Sequence, residues 1–340
     1  MIKVAINGFG RIGRLVFRIM ESDPEFEIVA INDLTDTQQL AYLLKYDTSH
    51  RLYKEEVSSC EDGIIVNSKK IKVYNELEPS NLPWKDLDID IVLECTGLFT
   101  DKEKAYNHIK AGAKKVIISA PAKGDLKTIV YNVNEKVLDG TEEVISAASC
   151  TTNCLAPVLR IIDYYFKIKK GYMTTIHAYT NDQATLDVAH KKGYMSRRGR
   201  AAAANIVPTS TGAASAIGKV LPNLEGKLDG MAYRVGVTTG SVIDLTLELE
   251  KLATKENVNK AFELNQSETI KITSDPIVSS DVIGSTEGAI VDTLLTEVLT
   301  VDSKQLVKIV AWYDNEMGYS SQMVRLAKYI GKNMWITCFF

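Results

Sequence analysis

In Ser149-Cys150-Thr151-Thr152-Asn153-Cys154 a cysteine stands among small hydroxyl residues. A run from Glu143 to Ala148 predicts a strand before it, and Leu155 to Phe166 predicts a helix after it. Unpaired backbone N–H groups and the positive end of a helix dipole meet where a helix begins. They favour thiolate over thiol and bring a cysteine pKa from roughly 8.5 into the range of about 3.5 to 7.5. Cys150 is therefore a candidate nucleophile; the competing reading is a small buried residue that closes a turn. A nucleophilic thiol needs a neighbouring base. Of the histidines at 50, 108, 177 and 190, His177 stands near a strand end in the same half of the chain and suits that role best.

A second chemistry is written at the amino terminus. An alternating run from Ile2 to Ile6 enters Asn7-Gly8-Phe9-Gly10-Arg11-Ile12-Gly13, and an apolar helical pattern follows through Met20. Gly8-x-Gly10-x-x-Gly13 between a strand and a helix fits a dinucleotide fingerprint: one glycine for the tight turn, one for close approach of backbone to pyrophosphate, one for helix–strand packing. The next strand, Glu27 to Ile31, leads to Asp33, twenty residues past Gly13, where a carboxylate would accept hydrogen bonds from the adenosine ribose. The expected cofactor is NAD.

These residues need a frame. Residues 36 to 46 predict a helix, Asp62 to Tyr74 a hairpin, Ile89 to Cys95 and Lys115 to Ser119 buried strands, and Asp101 to Ala111 a helix between those two. Thr128 to Val133 predicts a further strand. Strands alternating with helices imply a Rossmann-type, mostly parallel sheet with ligands at the carboxyl ends of its strands. After Cys150 the pattern changes. Tyr172 to Tyr179, Met231 to Val237, Ser241 to Leu249 and Leu306 to Trp312 read as long strands, with helices at 213–220 and Lys255 to Asn265. This predicts an α+β catalytic domain with a largely antiparallel sheet. The expected division is residues 1–149 for the dinucleotide, 150–315 for catalysis and substrate, and a last helix within 316–340, about Gly318 to Ile330, packing back on the first domain.

At 340 residues, 45% hydrophobic and 24% charged, the chain can bury two sizeable cores. A net charge of -3 gives no general attraction to nucleic acid or to an anionic membrane. Five scattered cysteines do not form a disulfide framework, and with no leader or membrane-length apolar run the expected location is cytoplasmic. Cys150 and Cys154 lack a second Cys or His pair at zinc-like spacing, so no metal site is expected. The polar segment from Asn181 to Asn205, with Arg197-Arg198-Gly199-Arg200, is too long for a mere connector.

Taken together, the sequence resembles the phosphorylating glyceraldehyde-3-phosphate dehydrogenase family. The resemblance rests on Ile6 to Arg14, Ala148 to Asn153, Thr174-Thr175-Ile176-His177, Val207 to Ala214 and Trp312-Tyr313-Asp314-Asn315-Glu316, in the family's order and spacing from residue 2 to about 330. It implies Cys150 as nucleophile and His177 as its base. It implies that Asn7, Gly8, Phe9, Gly10, Arg11, Ile12, Gly13, Asp33, Ser119 and Asn315 surround NAD. Thr180 and Arg234 would hold the substrate's phosphate, and Ser149, Thr151, Thr211 and Gly212, with Arg198, inorganic phosphate. A homotetramer is likewise implied by resemblance, with 181–205 as its interface segment. Leu77 where the family has an arginine near the adenine, Gly236 for a proline after Arg234-Val235, and Met317 for a tryptophan are departures, and 331–340 has no family counterpart. Erythrose 4-phosphate oxidation is the alternative within the family; a thiol-based redox-sensing or RNA-binding role is the alternative outside it.

Overall fold

The computed structural model describes residues 1–336. Two compact units divide the chain: Met1–Ser149 together with the chain from Ser320, and Cys150–Tyr319. The first is built on eight strands, β1 (Ile2–Asn7), β2 (Phe26–Asn32), β3 (Val57–Cys60), β4 (Gly63–Val66), β5 (Lys69–Tyr74), β6 (Ile91–Glu94), β7 (Lys115–Ile118) and β8 (Val144–Ser146). Their order is β3-β4-β5-β2-β1-β6-β7-β8. The pairs from β5 to β8 are parallel, and only the pairs β3–β4 and β4–β5 are antiparallel. β6 reads as a near-continuous apolar run because every one of its residues is buried. The strand order reverses at β1, whose neighbours are β2 and β6, so the ligand crevice belongs at the carboxyl ends of β1 and β6.

Helices α1 (Arg11–Glu21), α2 (Thr37–Lys45), α3 (Lys102–Ala105) and α4 (Asn107–Lys110) belong to this unit. The sequence reading of one helix over 101–111 is corrected: it breaks at Tyr106 into two single turns, with Ile109 N–H bonding back to the Tyr106 carbonyl. The strand expected at 128–133 does not form. Asn134 turns its side chain onto Val130 N–H and the Thr128 carbonyl at 2.8 and 2.9 Å, Asn132 is left-handed (φ 61°), and only Thr128 bridges to Ser146.

The second unit opens with α5 (Cys150–Phe166), then β9 (Ile168–Ala178), β10 (Val207–Ser210), α6 (Ala213–Val220), β11 (Leu228–Val235), β12 (Ser241–Leu249), α7 (Lys255–Leu264), β13 (Ile270–Thr273), β14 (Ala289–Asp292), β15 (Glu297–Val301) and β16 (Lys304–Tyr313). The sheet order is β10-β11-β9-β12-β16-β14-β13, with β15 on β16. Two pairs, β9–β11 and β13–β14, are parallel and the rest antiparallel. The sequence reading missed β10, β13, β14 and β15. Pro208 argues against a strand, and β10 tolerates it because it lies at the sheet edge. β15 is almost wholly exposed and so carries no apolar alternation.

The final helix, α8 (Met317–Ile336), is longer than expected at both ends. Residues 337–340, within the expected terminal segment, lie outside the described residues. Among the described residues no helix is long and apolar enough to cross a membrane.

Candidate active site

In the first unit the glycine turn follows β1 directly. Gly8 has φ +91°, and a Cβ there would meet Thr96 N at 2.6 Å, so only glycine lets the ends of β1 and β6 approach this closely. A Cβ on Gly13 would collide with the Gly8 carbonyl, whereas Gly10 faces open space. Packing, turn and an unobstructed backbone are thus divided among three glycines, as a pyrophosphate at the start of α1 requires. Gly10 gives α1 no side-chain cap, and backbone N–H groups at a helix start of this kind suit an anionic ligand.

Asp33, just past β2, accepts from Phe9 N–H at 2.7 Å through one oxygen and from Thr35 N–H at 2.9 Å through the other. The carboxylate therefore ties the glycine turn to the end of β2 and still has lone pairs for ribose hydroxyls. The Phe9 side chain is buried, and Arg14 donates to its carbonyl at 2.8 Å. Arg11 forks onto Asp47, one N–H contact at 3.1 Å, so its side chain is anchored inside the unit. Ile12 lies in α1, and Ser119, past β7, donates its N–H to the Glu94 carbonyl at 2.9 Å. Gly8, Gly10, Asp33, Leu77, Thr96 and Leu98 are among the residues lining a pocket of ≈ 260 Å³. Leu77 is exposed there and offers an apolar surface in place of a charge.

The second unit holds the thiol. Cys150 is the first residue of α5, and its Sγ lies 3.4 Å from His177 Nε2. Burial pushes the thiol up; the Arg234 charge, the Thr151 hydroxyl and the Thr151 and Cys150 backbone N–H groups pull it down. Desolvation is the largest of these influences, so the thiol lies above its ordinary value rather than below it as the helix start leads one to expect. The base placed to take the thiol proton is His177, through Nε2. Burial, then the neighbouring Arg234 charge, push its pKa down to about 3, so the imidazole is neutral at pH 7. Its Nδ1 lies 2.7 Å from the Ala178 carbonyl and 2.8 Å from an Arg234 nitrogen that itself donates to that carbonyl. We assign the proton to Nδ1, donated to Ala178, because a carbonyl oxygen can only accept; Arg234 then donates to that carbonyl rather than to the ring, and the Nε2 lone pair faces the thiol.

The parallel register of β9 and β11 sets Arg234 opposite His177. Arg234 also reaches Thr180 Oγ1 at 3.3 Å. Arg198 donates to Thr209 Oγ1 at 3.2 Å and pairs with Asp182, which also accepts from the Thr180 hydroxyl. Burial raises Asp182, but the Thr180 hydroxyl and Arg198 outweigh it and hold the carboxyl below its usual range. Two arginines and a threonine, all engaged with or beside one carboxylate, form a seat for an anion. The sequence reading missed Asp182, although an acid two residues after Thr180 in a segment with three arginines was a signal.

Thr151 Oγ1 bonds the Tyr313 hydroxyl at 3.0 Å, and Tyr313 in turn meets Thr175 Oγ1 at 2.9 Å. Thr211 and Gly212 lead into α6, where Thr211 Oγ1 accepts from Ala213 N–H at 3.2 Å, and α6 packs on α5 and β11. No hydrogen bond joins Thr211 or Gly212 directly to Cys150, and Ser149 ends the first unit. Asn315 is buried, its Oδ1 accepting from Ser241 at 2.8 Å and Thr239 at 3.3 Å, which orients its amide. Gly236 has its own local reason: a Cβ would meet the Ala203 carbonyl at 2.5 Å. Met317 opens α8, its N–H held by Asp314 at 3.0 Å. Cys154 is buried away from solvent, and among the described residues no three His, Cys, Asp or Glu side chains converge as a metal site.

Two family models match this chain, one in each part. Residues 2–102 match the glyceraldehyde 3-phosphate dehydrogenase NAD binding domain, and residues 149–315 match the C-terminal domain of the same family. Glyceraldehyde-3-phosphate dehydrogenase of Clostridium pasteurianum is 57% identical over 332 residues, covering 98% of this chain and 99% of the relative. Its namesake from Streptococcus pyogenes is 52% identical over 333 residues, with the same coverage of each chain.

Proposed function

The chain belongs to the glyceraldehyde 3-phosphate dehydrogenase family and is an NAD-dependent oxidoreductase, and from that premise we propose that it oxidises D-glyceraldehyde 3-phosphate with NAD and inorganic phosphate. The product is 1,3-bisphosphoglycerate, formed through a thioester on Cys150. The observation that carries the reading is the 3.4 Å approach of a half-buried thiol to a neutral imidazole, with Arg234 beside the ring.

His177 Nε2 takes the thiol proton as Cys150 Sγ attacks the aldehyde carbon, giving a hemithioacetal whose oxyanion the Cys150 backbone N–H helps to hold. His177, now protonated, hands a proton to that oxygen and takes one back as the carbon gives up its hydride. NAD, when bound, supplies the hydride acceptor. Glycines 8, 10 and 13 with Asp33 would hold its pyrophosphate and adenosine ribose, and Asn315 its carboxamide. Thr180 and Arg234 bind the substrate's phosphate. Ser149, Thr151, Thr211 and Gly212, with Arg198, place inorganic phosphate to attack the thioester, which releases the Cys150 sulfur and leaves an acyl phosphate. We place this activity in glycolysis in the cytoplasm, in a homotetramer joined through the 181–205 segment.

The test is NADH formation from glyceraldehyde 3-phosphate, with and without phosphate. Turnover should require phosphate, and Cys150→Ser should abolish it while NAD still binds. Turnover of erythrose 4-phosphate at the higher kcat/KM, or labelling of Cys154 instead of Cys150, would reject the assignment.

A further inference from the structure

A line of buried polar side chains under the glycine turn takes no part in hydride transfer or phosphate binding. Asn32, Asn7 and Glu94 are the last residues of three adjacent strands, β2, β1 and β6, and none is more than 4% exposed. Asn32 Nδ2 donates to Asn7 Oδ1 at 2.7 Å, and Asn32 Oδ1 accepts from Glu76 N–H at 2.9 Å. Asn7 Nδ2 donates onward to Glu94 Oε2 at 2.5 Å. The other oxygen of Glu94 accepts from Thr96 N–H at 2.8 Å and from the Thr96 hydroxyl.

The line continues into the core. His108 Nε2 is 3.2 Å from Glu94 Oε2, and its Nδ1 is 3.0 Å from Trp84 Nε1; both rings are 0% exposed. An indole N–H can only donate, so Nδ1 must offer its lone pair. The imidazole proton then sits on Nε2 and is donated to Glu94. Four donors thus converge on one carboxylate beside an apolar cluster that includes Trp84, Val92 and Ile118.

A carboxylate in such surroundings is costly compared with the leucine or valine expected at a buried strand position, so stability alone does not account for it. Its bonds lead to three turns that flank the nucleotide pocket: Asn7-Gly8, Thr96-Gly97 and, through Asn32, Glu76-Leu77. The close approach of Gly8 to Thr96 leaves these turns little freedom once their partners are fixed. We propose that Glu94, held from behind by His108 and Trp84, is a positioning residue for NAD that sets the geometry of all three turns before the nucleotide arrives. Preorganisation of this kind strengthens binding by removing the cost of ordering the site.

The test is NAD affinity by isothermal titration calorimetry. Glu94→Gln keeps the shape, but its amide must point N–H at one pair of donors, and Kd should rise about tenfold. His108→Phe should raise it about threefold, and His108→Gln, which restores an acceptor for Trp84 and a donor for Glu94, should return it toward the native value. kcat at saturating NAD should stay within twofold for all three. The alkylation rate of Cys150 without NAD should not change, since the second unit is untouched. The double variant should bind no more weakly than Glu94→Gln alone; a product of the two single effects would overturn the linkage. Native Kd in both Glu94→Gln and His108→Phe, with only a lowered unfolding temperature, would make the line a feature of the fold alone. Should Glu94→Gln not fold, His108→Phe and its glutamine rescue decide the matter.

Discussion

Removing the imidazole from the thiol by His177→Asn tests the central contact most directly. Transfer of the proton across the 3.4 Å from Cys150 to His177 creates a charge pair. At an effective dielectric of about 20 that pair attracts by on the order of 5 kcal/mol. Burial of both groups opposes it, since desolvation is the largest influence on each. A net of about 1.5 to 3 kcal/mol, the value of a hydrogen bond to a charged group, is the reasonable remainder. At 1.36 kcal/mol per pKa unit this is about one to two units on the thiol. Alkylation of the NAD-free protein by iodoacetamide, followed on the Cys150 peptide across pH 5 to 10 (about the range where thiols ionise), reads that midpoint. It should move up by about one to two pH units in His177→Asn. The midpoint is the quantity to compare, because a smaller side chain also opens access and alters the limiting rate. An unchanged midpoint would mean that Arg234 and the helix start alone set the thiolate, and the role given to His177 would fall.

Other outcomes follow from the same geometry. Asp33→Asn should narrow the preference for NAD over NADP, since a carboxylate proposed to meet the ribose would no longer repel a phosphate there; an unchanged ratio of kcat/KM values would place the discrimination elsewhere. Thr211→Ala should raise the KM for phosphate by about tenfold to a hundredfold, a lost hydrogen bond to a charged group, while the pre-steady-state burst of NADH persists because acylation precedes phosphate attack. A burst that collapses with turnover would assign Thr211 to the aldehyde or the fold. His177 also links stability to pH: its folded pKa of about 3 lies below the ordinary 6.5, so between those values the unfolded chain binds a proton that the folded chain does not. Its contribution is intact above 6.5 and is lost at about 1.4 kcal/mol per unit as the pH falls below that. Urea midpoints at pH 7 and 5 should therefore converge between native and His177→Asn protein; parallel slopes would contradict the neutral assignment.

Chemistry written in local pattern was legible from the chain alone. The three glycines, the strand before them and the helix after them lie within 2–21, and Cys150 announces itself by its place between strand and helix. Both sheets could be foreseen in type, because continuous apolar runs and alternating runs encode burial on two faces or one. The short strands at 270–273, 289–292 and 297–301 were not foreseen, since runs of four or five residues are too short for their pattern to separate strand from loop until a partner strand pairs with them. Tertiary structure alone decided which distant residues meet. Arg234 stands at His177 because β11 and β9 pair in parallel register; the two are 57 positions apart. Asp182 acquires its role by lying against Arg198 and Thr180, and Glu94 by receiving Asn7 and His108 from 87 positions before it and 14 after it. Residue type and spacing prescribe what a side chain can do and the element that carries it. Register and packing determine its neighbours, and the neighbours set its proton, its charge and its aim.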